Sequence, residues 1–334
     1  MQTTKEQEQI IHWSMLHEPG DAVAREVFNQ RGTQALADFK SGVAHELWPS
    51  LVGAEFAQAV ADMLERIELR WSTAAVTRVV ERGIRWGFRP VFAQDAPDVF
   101  EHLADLAPHD PYLLWVAGDI SNLQGAVSVV GTRSPSESGR ENARSLVRQL
   151  HLPVISGGAV GIDSEAHRAA LELGLPTAAV MAGGLDRAYP QSNWELFHNI
   201  VQSGGAMISE MAAGQAPTRW RFLQRNRLIA ALGQATYVVE AGYRSGSVNT
   251  ANHAKLLGRD VFALIGPDNS KAAKGCNSMV ASGLATPLPF AGAKYLNHRV
   301  SQRVADAQRN GAKTVLEVAR DSGVPVRQVR AIIH

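Results

Sequence analysis

The sequence has very little cysteine and no long apolar run. Among its 334 residues Cys276 is the single cysteine, which excludes an intrachain disulfide and a cysteine-based zinc site. No stretch of about 18 apolar residues occurs, so no membrane span is expected. The polar start Met1–Glu6 is not typical of a signal peptide. These features predict a cytoplasmic protein with no membrane partner.

Net charge and the familiar catalytic motifs are also lacking. The 33 basic and 32 acidic side chains leave a formal charge of +1, so only a local cluster could attract a polyanion. The P-loop G-x-x-x-x-G-K-[ST], the zinc-protease H-E-x-x-H and the G-x-S-x-G elbow are absent. The sequence therefore predicts a binding protein with no catalytic residues, no metal and no cofactor.

From residue 126 onward, strand-like and helix-like segments alternate. Repeated β-α units of this length predict an α/β fold, an extended Rossmann-like, doubly wound and mostly parallel sheet. The predicted strands are 112–116, 126–130, 153–156, 177–181, 206–208, 236–240 and 260–264. The predicted helices are 136–150, 163–173, 193–202, 222–232 and 248–257.

The flanks differ from this central part in composition. Apolar residues at helical spacing predict a small helical domain over residues 1–87, followed by the α/β domain over residues 88–292. Residues 293–334 are a polar linker and a short tail. The pattern over Thr314–Arg330 fits a reduced helix-turn-helix or a plain amphipathic helix.

A glycine turn lies at the centre of the predicted sheet. The β-branched Val154 and Ile155 predict a buried strand, and Gly157, Gly158 and Gly161 follow it directly. Asp163 or Ser164 could then cap the next helix. Free amides at a helix start favour an anion, so this turn predicts a phosphate site.

Ligands of such sheets bind at the carboxyl ends of the strands, where several turns should converge. The turns expected there are Gly131-Thr132-Arg133, Ser156-Gly157-Gly158, residues 183–186, Ser209-Glu210, and Arg244-Ser245-Gly246-Ser247 at a helix start. Four arginines lie between Arg219 and Arg227, and residues 211–239 contain no acidic side chain. Arg225 and Arg227 cannot share one helix face, so one should reach the ligand while the other holds a loop.

Aromatic and acidic residues flank these turns. Bases could stack on an aromatic ring, and we expect one of Tyr189, Trp194, Phe197, Trp220 and Phe222 to be exposed. Glu210 and Glu240 lie at the ends of predicted strands on the same edge of the sheet. Each could act as a general base or could pair with an arginine of the site. His167 is expected to be a packed or capping histidine.

Nine segments in order, from about Pro90 to Leu288, resemble the DNA-processing protein A (DprA/Smf) family. They are 130–133, 156–163, 183–186 with Tyr189, Pro190 and Asn193, 209–210, Phe222 with 225–230, 239–241, 245–247, 258–263 and 275–277. The helical front and the tail also resemble that family's flanks. One departure is Glu18-Pro19-Gly20-Asp21, which replaces a glycine hairpin and predicts no duplex binding there.

The resemblance implies a non-enzymatic, sequence-independent single-stranded DNA-binding protein. It also implies a homodimer formed through the Rossmann domain, and help in protecting incoming DNA and loading the recombinase RecA for homologous recombination in natural transformation. The implied DNA-binding residues are Gly131, Arg133, Ser156, Gly157, Gly158, Ala159, Gly161, Asn193, Arg225, Asn226, Arg227, Ser245, Gly246 and Ser247.

Two other interpretations remain at this stage. The glycine turn followed by Glu165 partly resembles that of the LOG phosphoribohydrolases, although no proline precedes the glycines and no threonine follows Gly161. The alternative to an enzyme is an interaction scaffold whose pocket is vestigial.

Overall fold

The computed structural model describes residues 3–266 and 270–288, together with residues 308, 309, 311, 314, 317, 318 and 320. Within these residues a helical module precedes an α/β domain. The predicted helix-turn-helix over Thr314–Arg330 lies almost wholly outside the described residues. The division at residues 87/88 and 292/293 stays a prediction.

In the N-terminal helical module, defined as α1–α6, Val76 and Val79 of α6 pack with residues of the sheet, and helices α1–α5 share an apolar core of their own. Trp13, Trp48 and Met63 are fully buried in that core. Thr4 and Gln7 form a capping box that starts the first helix, and Asp21 caps the second. The helices are α1 (Lys5–Leu16), α2 (Ala22–Arg31), α3 (Gln34–Lys40), α4 (Ala44–Val52), α5 (Ala57–Arg70) and α6 (Thr73–Arg85).

The α/β domain is built on a nine-stranded sheet. The strands are β1 (Phe88–Val91), β2 (Leu114–Gly118), β3 (Val127–Val130), β4 (Val154–Ser156), β5 (Thr177–Met181), β6 (Ala206–Ser209), β7 (Ala235–Val238), β8 (Asp260–Leu264) and β9 (Thr286–Leu288). Their spatial order is β1-β2-β6-β5-β4-β3-β7-β8-β9. The β1–β2 and β2–β6 pairs are antiparallel, and the remaining pairs are parallel.

Helices cover both faces of this sheet, as the alternating pattern predicts. They are α7 (Pro97–Ala104), α8 (Glu137–Leu150), α9 (Ile162–Glu172), α10 (Trp194–Gln202), α11 (Arg219–Leu232), α12 (Gly246–Leu256) and α13 (Lys274–Ala281). Apolar residues of α11, α12 and α13 share one core with the sheet, whereas those of α8 and α9 share another. The doubly wound, mostly parallel α/β fold is therefore confirmed.

The sequence reading missed both edge strands. β1 contains Pro90 and β9 contains Pro287, and proline argues against a strand because it cannot donate a ladder hydrogen bond. At a sheet edge one side of the strand needs no such bond, so both prolines are accommodated. In the described part of the chain, none of the helices is long and apolar enough to cross a membrane.

Candidate nucleic-acid interface

A cleft of about 640 Å³ lies beside the turns that follow β3 and β7. The strand order reverses between these two neighbouring strands, which is where doubly wound sheets leave a crevice for ligands. Several of the predicted site residues line the cleft: Gly131, Arg133, Ala159, Arg225, Asn226, Ser245, Gly246 and Ser247. Of the turns expected to converge, those at Gly131–Arg133 and Ser245–Ser247 line the cleft, with Ala159 from the glycine turn, whereas residues 183–186 and 209–210 do not.

The turn after β3 is held from both sides, which fixes the position of Arg133. The Thr132 amide donates to the Glu240 carbonyl at 2.7 Å, and the Ile162 amide donates to the Thr132 carbonyl at 3.1 Å. A Cβ on Gly131 would lie 2.6 Å from the Ile162 side chain, so glycine allows this close approach. Arg133 is exposed at the mouth of the cleft.

The glycine turn after β4 differs from its prediction as a free phosphate site. The amides of Gly157 and Ala159 both donate to Asp163 Oδ2, at 3.1 and 3.3 Å. Asp163 therefore occupies amides that were expected to receive phosphate, and it does not cap α9. Gly161 stands at the cap position with φ +93°, where a Cβ would lie 2.4 Å from the Thr132 carbonyl oxygen.

Arg225 forms the floor of the cleft. Its Nη1 donates to the Gly157 carbonyl at 2.7 Å and also to the Val180 carbonyl. A Cβ on Gly157 would lie 2.6 Å from that nitrogen, so the guanidinium occupies the space of the missing side chain. Burial lowers the pKa of Arg225 to about 10, which leaves the group charged at neutral pH.

Asp163 is the acidic group on this floor. Burial raises the pKa of its carboxyl group, while the charge of Arg225 and hydrogen bonds from the turn amides oppose that shift. Asp163 belongs to the cleft lining, although its place in the sequence predicts a helix cap. The floor of the cleft thus contains both a buried cation and a buried carboxyl group.

An aromatic ring joins the two arginines that the sequence placed in different turns. The Cζ atoms of Arg133 and Arg225 lie 5.2 and 5.8 Å from the centroid of the Phe222 ring. Tyr189 meets the same ring edge-on at 5.6 Å and is 50% exposed. Two guanidinium groups next to one aromatic ring suit a phosphate with a base beside it.

The expectation of a single exposed aromatic residue is wrong. Three of these residues are exposed, namely Tyr189 at 50%, Trp194 at 48% and Trp220 at 56%, whereas Phe197 is fully buried. Phe222 is half-buried in the cleft wall.

The start of α12 also lines the cleft. Ser245 and Ser247 share a hydrogen bond between their hydroxyl groups at 2.7 Å. Asn226 Nδ2 donates to the Gly246 carbonyl at 3.2 Å and to Asn249 Oδ1 at 3.1 Å. Asn226 therefore ties α11 to the N-terminal turn of α12, whose amides carry the positive end of the helix dipole.

Other predicted site residues lie behind the cleft wall. Arg227 is 2% exposed and forms a bidentate pair with Glu210, at 2.8 and 2.7 Å. Asn193 donates to the Gly158 carbonyl and to Ser164 Oγ, both at 2.9 Å. These side chains support the turns without lining the cleft, as does Ser156, whose hydroxyl donates to the Val129 carbonyl at 2.6 Å.

Some lining residues were not among the predicted site residues: Thr132, Asp163, Tyr189, Arg219 and Phe222. A helical signal could have found two of them. Arg219, Phe222 and Asn226 follow the i, i+3, i+7 spacing of one helix face. Because Asn226 was predicted to face the ligand, the same spacing would have placed Arg219 and Phe222 there too. Tyr189 and Asp163 give no such signal, because their positions depend on how separate turns pack.

The candidate acids and bases are engaged elsewhere. Glu240 accepts hydrogen bonds from the Ser136 amide and hydroxyl, both at 2.9 Å. Glu165, the residue of the phosphoribohydrolase interpretation, is 4% exposed and lies outside the cleft lining. It pairs with Arg140, Arg144 and Arg168 at 3.3, 2.7 and 3.2 Å. His167 is packed as predicted, with Nδ1 2.7 Å from Thr177 Oγ1.

The chain is similar to known proteins over much of its length. The family model for DNA recombination-mediator protein A matches residues 91–296. A Mycobacterium tuberculosis protein assigned as a DNA processing protein DprA is 39% identical over 248 residues, which cover 66% of this chain and 64% of that protein. The DNA processing protein DprA of Streptococcus pneumoniae is 37% identical over 194 residues, or 55% of this chain and 68% of that protein.

Two solved structures are similar as well. The crystal structure of DNA processing protein A from Streptococcus pneumoniae has a TM-score of 0.66 and 28% identity, covering 86% of this chain and 95% of that one. The structure of DNA processing protein A from Helicobacter pylori, described for its single-stranded DNA binding mode, has a TM-score of 0.54 and 28% identity, covering 60% and 90%. The chain thus spans 64% of the Mycobacterium tuberculosis relative, and it belongs to the DNA recombination-mediator protein A family.

Proposed function

We propose that the cleft binds single-stranded DNA without sequence preference, in a DNA-processing role in recombination. The observation that carries the proposal is that Arg133, Arg225 and Phe222 line one cleft, with the two guanidinium Cζ atoms 5.2 and 5.8 Å from the ring centroid. A guanidinium group can hold a phosphate, and an aromatic ring can stack any base. The single-stranded DNA binding mode described for the Helicobacter pylori relative supports this reading.

The shape of the site favours an unpaired strand over a duplex. Phe222 is half-buried in the wall of a cavity of about 640 Å³. A base can reach its ring only when the base is unstacked and free of its pairing partner. Duplex DNA, which keeps its bases inside, should contact only the exposed Arg133 and the rim.

The proposal is tested by titrating labelled oligonucleotides, single- and double-stranded, at several salt concentrations with fluorescence anisotropy. For single strands the logarithm of the affinity should fall with log salt by about 0.7 per phosphate contact. Arg133→Ala should reduce that slope by about 0.7 and weaken all sequences alike. Preferred binding of duplex, or an unchanged slope for Arg133→Ala, would contradict the proposal.

Arg148→Ala provides the matched control. Arg148 is also an exposed arginine, 45% exposed in its side chain, and it lies in the last turn of α8. Helix α8 returns from the β3 end of the sheet toward the start of β4, so Arg148 lies near the opposite edge. Its removal should leave both the affinity and the salt slope unchanged.

The proposal extends to recombination partners. Membership in a recombination-mediator family supports a role in protecting incoming single strands and loading RecA during natural transformation. The same membership supports a homodimer formed through the α/β domain. Light scattering of the full chain measures the dimer. RecA filament growth on single-stranded DNA, with and without Arg133→Ala, measures loading.

A further inference from the structure

The N-terminal helical module contacts helix α11 on the face that points away from the cleft. Glu18 accepts two hydrogen bonds from Arg221, from Nε and from Nη2, both at 2.9 Å. Arg70 of α5 donates to the same carboxylate at 2.7 Å, so Glu18 joins α11 to the end of α5. Arg221 is 9% exposed, and its remaining Nη1 donates to the Ala216 carbonyl at 2.8 Å.

Neighbouring contacts tighten the same junction. Gly20 has φ +73°, and a Cβ there would lie 2.8 Å from Gln224 Oε1 of α11. Its carbonyl oxygen is 2.8 Å from His109 Nδ1, and the His109 carbonyl accepts from Arg227 Nε at 2.9 Å. The segment that replaces a glycine hairpin in this chain is therefore packed against the back of α11.

A second contact from the module reaches the other side of the cleft. Arg82 of α6 lies 2.7 Å from Asp186 Oδ2, and the Asp186 side chain is fully buried. The other oxygen of Asp186 accepts from the Gly214 amide at 2.9 Å. Asp186 belongs to the turn that leads to Tyr189, the residue that meets the Phe222 ring.

Helix α11 transmits the first of these contacts to the cleft. Arg221 bonds Glu18 of the module, and Gln224 and Arg227, at i+3 and i+6, lie beside Gly20 of the module. The cleft-lining residues Phe222, Arg225 and Ile229 follow another face of the same helix. Because a helix moves as a rigid element, tilting α11 away from Glu18 would displace Phe222 and Arg225 together.

The charge of Glu18 is stabilised at this junction. Burial alone would raise the pKa of its carboxyl group, but hydrogen bonds and charges from Arg221 and Arg70 outweigh burial and lower that pKa. A two-point contact between a carboxylate and a guanidinium group fixes both the distance between the two groups and their relative orientation. Such a pair can set the angle at which α11 lies against the module.

We propose that the N-terminal helical module is a brace for the cleft, with Glu18 and Arg82 as positioning residues that fix α11 and the turn at Asp186. This inference rests on the proposed single-stranded DNA binding. It assigns the module a part in binding even though its own residues do not line the cleft.

The test compares the full-length wild type with Glu18→Gln, Arg82→Gln and the double variant. Single-stranded DNA affinity is measured by anisotropy at several salt concentrations, and amide hydrogen exchange is followed in residues 183–189 and 219–226. The double variant should bind about five- to tenfold more weakly, with an unchanged salt slope, because no phosphate contact is removed. Both segments should exchange faster.

Two further variants separate positioning from general destabilisation. Asp38→Asn breaks the same kind of pair inside the module, where Asp38 accepts from Arg31 Nε and Nη2 at 2.7 and 2.9 Å. It should leave DNA affinity and exchange in both segments at wild-type values. Arg82→Lys keeps a cation beside Asp186 and should bind more tightly than Arg82→Gln.

The outcomes distinguish the brace from the proposed function. If the wild type binds single strands and the double variant binds equally well with unchanged exchange, the brace is wrong and the binding proposal stands. Equal weakening by Asp38→Asn would also overturn the brace, because the effect would then come from lost stability. If the wild type fails to bind, the binding proposal fails and the brace falls with it.

Discussion

The two faces of helix α11 use arginine in different ways. On the cleft face, Arg225 donates to the backbone carbonyls of Gly157 and Val180. On the module face, Arg227 donates to the carboxylate of Glu210 at two points. A carbonyl partner leaves the positive charge without a directly paired anion, whereas a carboxylate neutralises it. Two buried arginines two residues apart therefore differ in what they can offer a phosphate.

The largest expected effect is the loss of folding stability when either of these two arginines is replaced, and it tests the difference between their partners. Arg227→Gln leaves Glu210 without its partner and should reduce the free energy of unfolding by about 3–5 kcal/mol, measured by urea denaturation. The salt slope of single-strand binding should stay unchanged. Arg225→Gln should also destabilise the fold, because two buried carbonyls lose a donor. Unlike Arg227→Gln, it should also reduce the salt slope.

A double variant provides the control for the Arg227 pair. Glu210→Gln combined with Arg227→Gln removes both charges, so it should be less destabilised than the sum of the single variants. If Arg227→Gln reduced the salt slope as much as Arg225→Gln, the distinction between the two faces would be lost.

A smaller effect is expected from the aromatic part of the cleft face. Phe222→Leu removes a stacking surface and should weaken single-strand binding by about 1–3 kcal/mol, which is roughly 5- to 150-fold, at an unchanged salt slope. Anisotropy with a homopolymeric oligonucleotide measures this change. Trp220→Leu is the control, since Trp220 is 56% exposed on the same helix but lies outside the cleft lining. Equal losses from both variants would contradict a specific stacking site.

The smallest expected effect is a pH dependence of folding stability that comes from His17 in the helical module. Burial, followed by the charges of Arg66 and Arg70, lowers the pKa of His17 from 6.5 to about 3. The unfolded chain therefore binds a proton between these values that the folded chain does not, so folding stability falls as pH drops below 6.5. One pH unit below it, at pH 5.5, the loss from this residue is about 1.4 kcal/mol.

Urea denaturation of the wild type and of His17→Phe at pH 7.5 and 5.5 measures this contribution. The variant keeps an aromatic ring beside Trp13, whose centroid lies 4.4 Å from that of His17, and removes the titrating group. The wild type should lose more stability on acidification than the variant does. Equal losses in both proteins would show that His17 does not titrate in this way.

The degree to which the sequence predicted the site depended on the kind of residue. Gly131, Arg133 and the turn at Ser245–Ser247 lie in strand-end turns, and strand ends are set by a local pattern of apolar residues and glycines. The doubly wound fold was predictable for the same reason. The edge strands β1 and β9 were not, because the prolines within them oppose the local pattern and only the edge position makes them acceptable.

The roles of long or buried polar side chains were less predictable. Asp163 was expected to cap a helix and instead binds the amides of the preceding turn. Asn193 was named among the DNA-binding residues, and its side chain holds the glycine turn from behind the cleft wall. The pattern indicated that one of Arg225 and Arg227 holds a loop but not which one, and Arg227 is the residue that pairs with Glu210. In each case the partner comes from a different segment, and a side chain with several rotamers can meet more than one neighbour.

The sequence by itself determined which segments become strands and helices and which turns gather at one edge of the sheet, because those outcomes follow from apolar periodicity and glycine. Only the tertiary structure decided which arginine faces the cleft and which faces the module. Glu18 and Arg221 are 203 residues apart in the chain, and their contact exists because the loop between α1 and α2 lies against α11. Local pattern carries no information about a contact of that range, because its geometry depends on how distant segments pack.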